Sequence, residues 1–148
     1  MTYEERLLAV ESEQPKAVWE TREPKDCDEG LIDRVLTAAT NVHRQLGPGL
    51  NESVYEAALM LELAAMGISA KRQVEVPVWY RGQKLDLAFQ ADVIVEDCLL
   101  LELKSVESLT KIHLAQIMNY LKLLSLKRGY LLNFNVKLLK EGIKRVSI

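Results

Sequence analysis

A mixed α/β domain, with a central sheet covered by helices, is predicted by two changes of hydrophobic period along the 148 residues. Apolar residues recur at helical spacing through about residues 31–66, then alternate every second residue over 70–80. Helical spacing returns over about 111–125, and a short apolar run follows at 128–134, as in a buried strand. Helices, strands, helix and strand in that order pack most simply as a sheet between helical layers.

The first helix starts near Leu31 and carries Val35, Leu36, Ala39, Val42 and Leu46 on one face. Gly47-Pro48-Gly49 ends it, because glycine suits a helix C-terminus and proline cannot extend one. Asn51 caps a second helix running to about Met66, with Val54, Ala58, Leu59 and Leu63 inward and Gly67 as its stop. Val74, Val76 and Val78 mark a strand over 70–80, and Arg81 to Lys84 form a turn. A short strand over Leu85 to Phe89 and another over Ala91 to Val95 are expected next, then Leu99 to Lys104 after the turn Glu96-Asp97-Cys98. A helix from about Lys111 to Ser125 carries Leu114, Ile117, Met118, Leu121 and Leu124. Residues 128–134 make a buried strand, and Gly142 to Ile148 an edge strand.

The chain is long enough to bury a core unaided, and its composition, 49% hydrophobic and 27% charged, is that of a soluble globular domain. Residues 1–30 hold nine acids and four bases, whereas 31–148 hold twelve acids and fifteen bases. The first stretch reads as an acidic, flexible or loosely packed extension, in which Leu7, Leu8, Val10 and Trp19 could form a short helix or docking segment. The body, 31–148, is only mildly basic, so any grip on nucleic acid must come from a local groove and a metal. Folding of the acidic extension over the site, in imitation of nucleic acid, is one expectation that follows from its charge. Cys27 and Cys98 are far apart in sequence and give no CxxC pair or disulfide framework. An acidic start and the lack of a long apolar run point away from a membrane and towards the cytoplasm.

The chemistry concentrates around Glu96-Asp97-Cys98. A hairpin with this three-residue loop sets Asp92 opposite Glu102, Cβ atoms about 4.5–5.5 Å apart, with Lys104 on the same face. Val93, Val95, Leu101 and Leu103 then point to the core. Facing carboxylates repel unless a cation lies between them. Mg²⁺ prefers carboxylate and water oxygens and needs only one or two protein carboxylates when phosphate supplies more. A neighbouring lysine can act on the attacking water or on charge at a scissile phosphate. Asp-x9-Glu-x-Lys is thus a compact kit for phosphodiester hydrolysis. An exposed hairpin with ordinary surface charges is the other reading, and a two-residue loop would shift the register. Gln116 and Tyr120 share a helix face, where they could position a strand or simply pack. Glu52, in the first turn of its helix, is explained by the helix dipole alone, with Tyr55 beneath it.

The segment Gly49-Leu50-Asn51-Glu52-Ser53-Val54-Tyr55, within VHRQLGPGLNESVYEAAL, resembles the motif that names the GxxExxY proteins. LLNFNVKLLKEGIKRV resembles that family's closing segment, so the likeness spans roughly residues 31–148. GxxExxY proteins are placed in the PD-(D/E)XK nuclease superfamily, which implies a restriction-endonuclease-like fold with a mixed central sheet flanked by helices. The resemblance carries the superfamily's metal-binding aspartate to Asp92 and its (D/E)-x-K element to Glu102-Leu103-Lys104. It carries the preceding helical glutamate to Glu52 and a Gln-x-x-x-Tyr motif to Gln116 and Tyr120. Ala91 departs from the proline of the superfamily's name. His43 resembles a position typical of the family, although as a residue it reads as a helix-end or packing histidine.

Together these imply an enzyme, a nuclease using Mg²⁺ or Mn²⁺ to hydrolyse nucleic acid, with DNA the commonest substrate of the superfamily. Asp92, Glu102, the Leu103 carbonyl and Glu52 are the expected metal donors, and Lys104 the residue acting on water or transition state. Lys71, Arg72, Lys111 and His113 are candidate backbone contacts. The rival is a non-catalytic nucleic-acid or protein-binding module on the same fold, with a protein partner or a homo-oligomer enlarging its small surface.

Overall fold

The computed structural model describes residues 1–6 and 23–148, so Leu7, Leu8, Val10 and Trp19 lie outside the described residues. Helix α1 (Glu29–Leu46) begins two residues before Leu31, because the Asp28 side chain accepts the Leu31 N–H and caps it. Helix α2 (Glu52–Ala65) has Asn51 as its N-cap. Strands β1 (Ala70–Tyr80), β2 (Gln83–Val95) and β3 (Leu99–Lys104) follow, then α3 (Lys111–Leu124), β4 (Arg128–Asn133), a 3-10 turn (Leu139–Gly142) and β5 (Ile143–Ser147).

The five strands form one sheet in chain order, antiparallel except for the parallel pair β3–β4, which α3 connects. One face packs under α1 and α2 through Val93, Val95, Leu101 and Leu103 against Val35, Tyr55 and Leu59. The other packs under α3, where Ile94, Leu100 and Leu131 meet Ile117, Tyr120 and Leu121. This is the mixed sheet between helical layers that the changes of period predict, consistent with a restriction-endonuclease-like fold.

Two expectations are corrected. The strands anticipated at 85–89 and 91–95 are one, because β2 pairs with β1 on both sides of Gln90 and only Arg81-Gly82 turns. The chain is packed from Lys25 onward, ahead of the boundary drawn at Leu31. Lys25 donates to the Ser125 carbonyl at 2.9 Å and accepts from Lys127 at 2.9 Å. Cys27 enters the α1–α2 core. There its thiol meets that of Cys98, and burial first, then that contact, pushes the Cys27 thiol up to about 12. The two cysteines, distant in sequence, are a buried pair of free thiols. No helix among the described residues is long and apolar enough to cross a membrane.

Candidate metal centre at the β2–β3 fork

Strands β2 and β3 share three rungs, Val95–Leu99, Ile94–Leu100 and Val93–Leu101. This is the register of a three-residue loop, and one further step sets Asp92 beside Glu102. There the ladder stops: β2 continues with β1 while β3 continues with β4. At the fork the Asp92 Oδ2 accepts the Leu103 backbone N–H at 2.8 Å, where a backbone carbonyl would otherwise stand. Asp92 is therefore held by the sheet itself.

Glu102 is only 4% exposed, and its Oε1 has no hydrogen-bond partner among the described residues. Burial first, and then the charge of Asp92, push its carboxyl up to about 9, with Lys104 opposing the shift. A buried carboxyl with an orphaned oxygen is costly and rare. Lys104 is half-buried at the end of the same strand and forms no ion pair among the described residues.

Glu52 approaches from the α2 side. Its Oε1 accepts the Ser105 N–H at 3.1 Å, and Ser105 Oγ donates to the Leu50 carbonyl at 2.7 Å. Helix α2 is anchored by Tyr55, which is fully buried. The Tyr55 hydroxyl donates to the Gly47 carbonyl at 2.6 Å and accepts the Leu50 N–H at 3.1 Å. Its ring stacks on Phe134 with centroids 4.4 Å apart. Gly49, at φ 92°, supplies the left-handed bend between these anchors. Glu52 and Asp92 then share a cavity of about 230 Å³ with Asn51, Glu56, Gln73 and Leu103.

Glu56 and Gln73 are absent from the sequence-based set. Glu56 is 6% exposed and accepts from Arg72 at 2.9 Å and from Gln73 Nε2 at 2.6 Å. Its position one turn after Glu52, on the same helix face, was the available signal. Gln73 lies opposite Asp92, between the rungs Arg72–Val93 and Val74–Ala91, with φ 51° in the middle of a strand. A left-handed glutamine costs about 1–3 kcal/mol and is the kind of strain that clusters at functional sites. No sequence pattern announces it.

On the α3 side, Gln116 Nε2 donates to the Tyr120 hydroxyl at 3.1 Å. That hydroxyl is shifted upward by burial first and then by the charge of Glu102, which places the pair beside the carboxylates. Tyr120 is 4% exposed, so its ring is closed to base stacking; half-exposed Phe89 lies against it at 5.2 Å. The expected backbone contacts are largely engaged elsewhere: Arg72 with Glu56, Lys71 with Asp97, and His113 Nδ1 accepting the Thr110 N–H as a helix cap. Lys111 is exposed at the start of α3. His43 is buried, its Nε2 2.8 Å from the Val136 carbonyl, and acts as a packing strut.

No three His, Cys, Asp or Glu side chains converge tightly enough to hold an ion unaided among the described residues. The donor set nevertheless fits a hard divalent cation. Two carboxylates at the fork, one with an orphaned oxygen, match the few protein ligands Mg²⁺ takes when phosphate and water complete its shell. Neither a curated protein nor a solved structure matches the chain. A family model described as the PD-(D/E)XK nuclease superfamily matches residues 29–146, from the first residue of α1 into β5. With its sheet, its Asp92 fork and its Glu102-Leu103-Lys104 strand, the chain belongs to the PD-(D/E)XK nuclease superfamily.

Proposed function

We propose that this protein is a divalent-cation-dependent phosphodiesterase of nucleic acid, DNA by preference, with Mg²⁺ or Mn²⁺ as cofactor. The observation that carries the proposal is the unpartnered Oε1 of buried Glu102 beside Asp92. A binding protein gains nothing from that arrangement, whereas a cation relieves it. Within the superfamily we group the chain with the GxxExxY proteins, on Gly49, Glu52 and the Tyr55 clamp.

A cation at the fork would supply charge neutralisation and Lewis-acid polarisation at the scissile phosphodiester. Asp92 keeps Oδ1 for it, since Oδ2 is committed to Leu103. Glu102 contributes Oε1, and the Leu103 carbonyl is the third protein oxygen. Glu52, across the cavity, orients outer water. Lys104 donates to a non-bridging phosphate oxygen or takes part in deprotonating the attacking water. Gln116, steadied by Tyr120, orients the strand from the α3 side.

The test is cleavage of labelled single- and double-stranded DNA and RNA in Mg²⁺, Mn²⁺ or EDTA, for wild type, Glu102→Ala and Lys104→Ala. Cation-dependent cleavage reduced about 100-fold or more in both variants is expected. No cleavage of any substrate, with no cation binding by calorimetry, would leave a binding module on a nuclease fold and sink the catalytic reading.

A further inference from the structure

Beyond the fork, a second cavity, of about 450 Å³, opens at the C-terminal end of α1. Its lining includes Thr40, His43, Arg44, Gly47, Lys137 and Lys140, and no carboxylate. Arg44 comes from α1, while Lys137 and Lys140 come from the segment after β4. All three cations are exposed, and none forms an ion pair among the described residues. Elsewhere on the surface, Lys71, Lys84 and Arg145 each face a carboxylate.

The dipole of α1 accounts for Arg44 alone, since a cation is favoured in a last helical turn. It does not account for two lysines brought to the same cavity from a separate segment, where like charges repel. A polyanion removes that cost. The location identifies which one. Both segments that build the cavity run directly to the fork. Phe134 donates to the Lys104 carbonyl at 2.9 Å, so Lys137 lies within about 11 Å of that hydrogen bond by chain reach. On the other side Gly47 is five residues from Glu52, at most about 18 Å.

We infer that the Arg44–Lys137–Lys140 cavity grips the phosphate backbone of the nucleic-acid strand a few nucleotides from the bond cleaved at the fork. The inference rests on the proposed nuclease reading and deepens it. Phosphates follow one another at about 3.4 Å along a duplex strand axis, so the cavity and the fork are spanned by about five nucleotides. Thr40 and the backbone at Gly47 add polar lining without charge. His43 stays a strut, its ring nitrogen committed to Val136.

The experiment is fluorescence anisotropy with a labelled duplex and a labelled single strand in EDTA, over a salt series. Wild type is compared with Arg44→Ala/Lys137→Ala/Lys140→Ala and with a matched charge control, Lys122→Ala/Lys127→Ala/Lys144→Ala. The cavity variant is expected to bind at least about tenfold more weakly, with the slope of log affinity against log salt shallower by about 2–3, at about 0.9 for each phosphate no longer neutralised. The control keeps most of both. If circular dichroism shows the triple variant unfolded, Lys137→Gln/Lys140→Gln on the exposed segment replaces it, with a slope change of about 2 expected. Wild-type affinity and slope in the cavity variant, with wild type binding and cleaving, would overturn this inference and leave the nuclease reading intact. Wild type that binds no nucleic acid in EDTA and cleaves none with Mg²⁺ or Mn²⁺ would overturn both.

Discussion

Replacing Glu102 by glutamine isolates the electrostatic cost of the fork. In the folded protein the Glu102 carboxyl titrates at about 9, against 4.5 as its ordinary value. Because the folded value is the higher, the group's contribution to stability is full below about pH 4.5. It falls as pH rises towards 9, since the unfolded chain ionises freely while the folded one resists. The slope is about 1.4 kcal/mol per pH unit, which amounts to about 3 kcal/mol by pH 7. A glutamine has no charge to desolvate, so in EDTA the Glu102→Gln variant should be more stable than wild type by about that amount at pH 7. At pH 4.5 the two should nearly coincide. Urea denaturation of both proteins at pH 4.5, 6, 7 and 8 reads the difference and cancels every other titrating group. On the proposed function saturating Mg²⁺ should close the gap from the other side, since a cation bound only by folded wild type would add about 2.7 kcal/mol at one hundred times its dissociation constant. A difference that is constant with pH, or a variant less stable than wild type at pH 8 in EDTA, would refute the reasoning.

Two further outcomes follow from the scaffold around the site. Tyr55→Phe removes a hydroxyl bonded to both the Gly47 carbonyl and the Leu50 N–H, so it should cost about 1–3 kcal/mol in urea denaturation. An unchanged midpoint would dismiss the clamp. Deleting residues 1–28 removes buried Cys27 and the Asp28 cap, and should lower stability by at least about 2 kcal/mol, whereas deleting 1–22 spares both. Equal midpoints for the two truncations would contradict the packing of Lys25 to Asp28. Imitation of nucleic acid by the acidic extension is tested by the longer truncation: equal activity and affinity with and without residues 1–28 would remove that idea.

How far the site was legible depends on the range of the forces that form it. The end of α1 and the limits of α2 followed from Asn51 and the glycines because capping is a matter of a few adjacent residues, whereas the Asp28 cap, which starts α1 two residues before Leu31, was not picked out. The Asp92–Glu102 register rested on an assumed three-residue loop, with which the observed rungs agree; a one-residue slip would turn Val93 and Leu101 out of the core. Continuity of β2 through Gln90 was not legible, because its exposed half carries no burial pattern to distinguish strand from turn. Nor was the approach of Cys27 to Cys98, which depends on where the chain before α1 crosses the sheet.

The fork explains why the remaining site residues were also hidden. A regular ladder at Asp92 would consume its neighbours' backbone groups and leave no cavity. Parting β2 from β3 after three rungs opens one, and requires substitutes for the missing pairing: Asp92 Oδ2 on Leu103, Glu52 on Ser105, and Asn133 Oδ1 on Val106. Each is a side chain standing in for backbone over a sequence separation of 11, 53 and 27 residues. Local patterning cannot express such long-range bonds. Gln73 belongs to the same arrangement, its left-handed backbone letting β1 follow β2 where β2 leaves β3. The proposed chemistry at this end of the sheet and the irregularity of the sheet are therefore one feature. A regular sheet would have been easier to read and would have had no room for the phosphate of the proposed reaction.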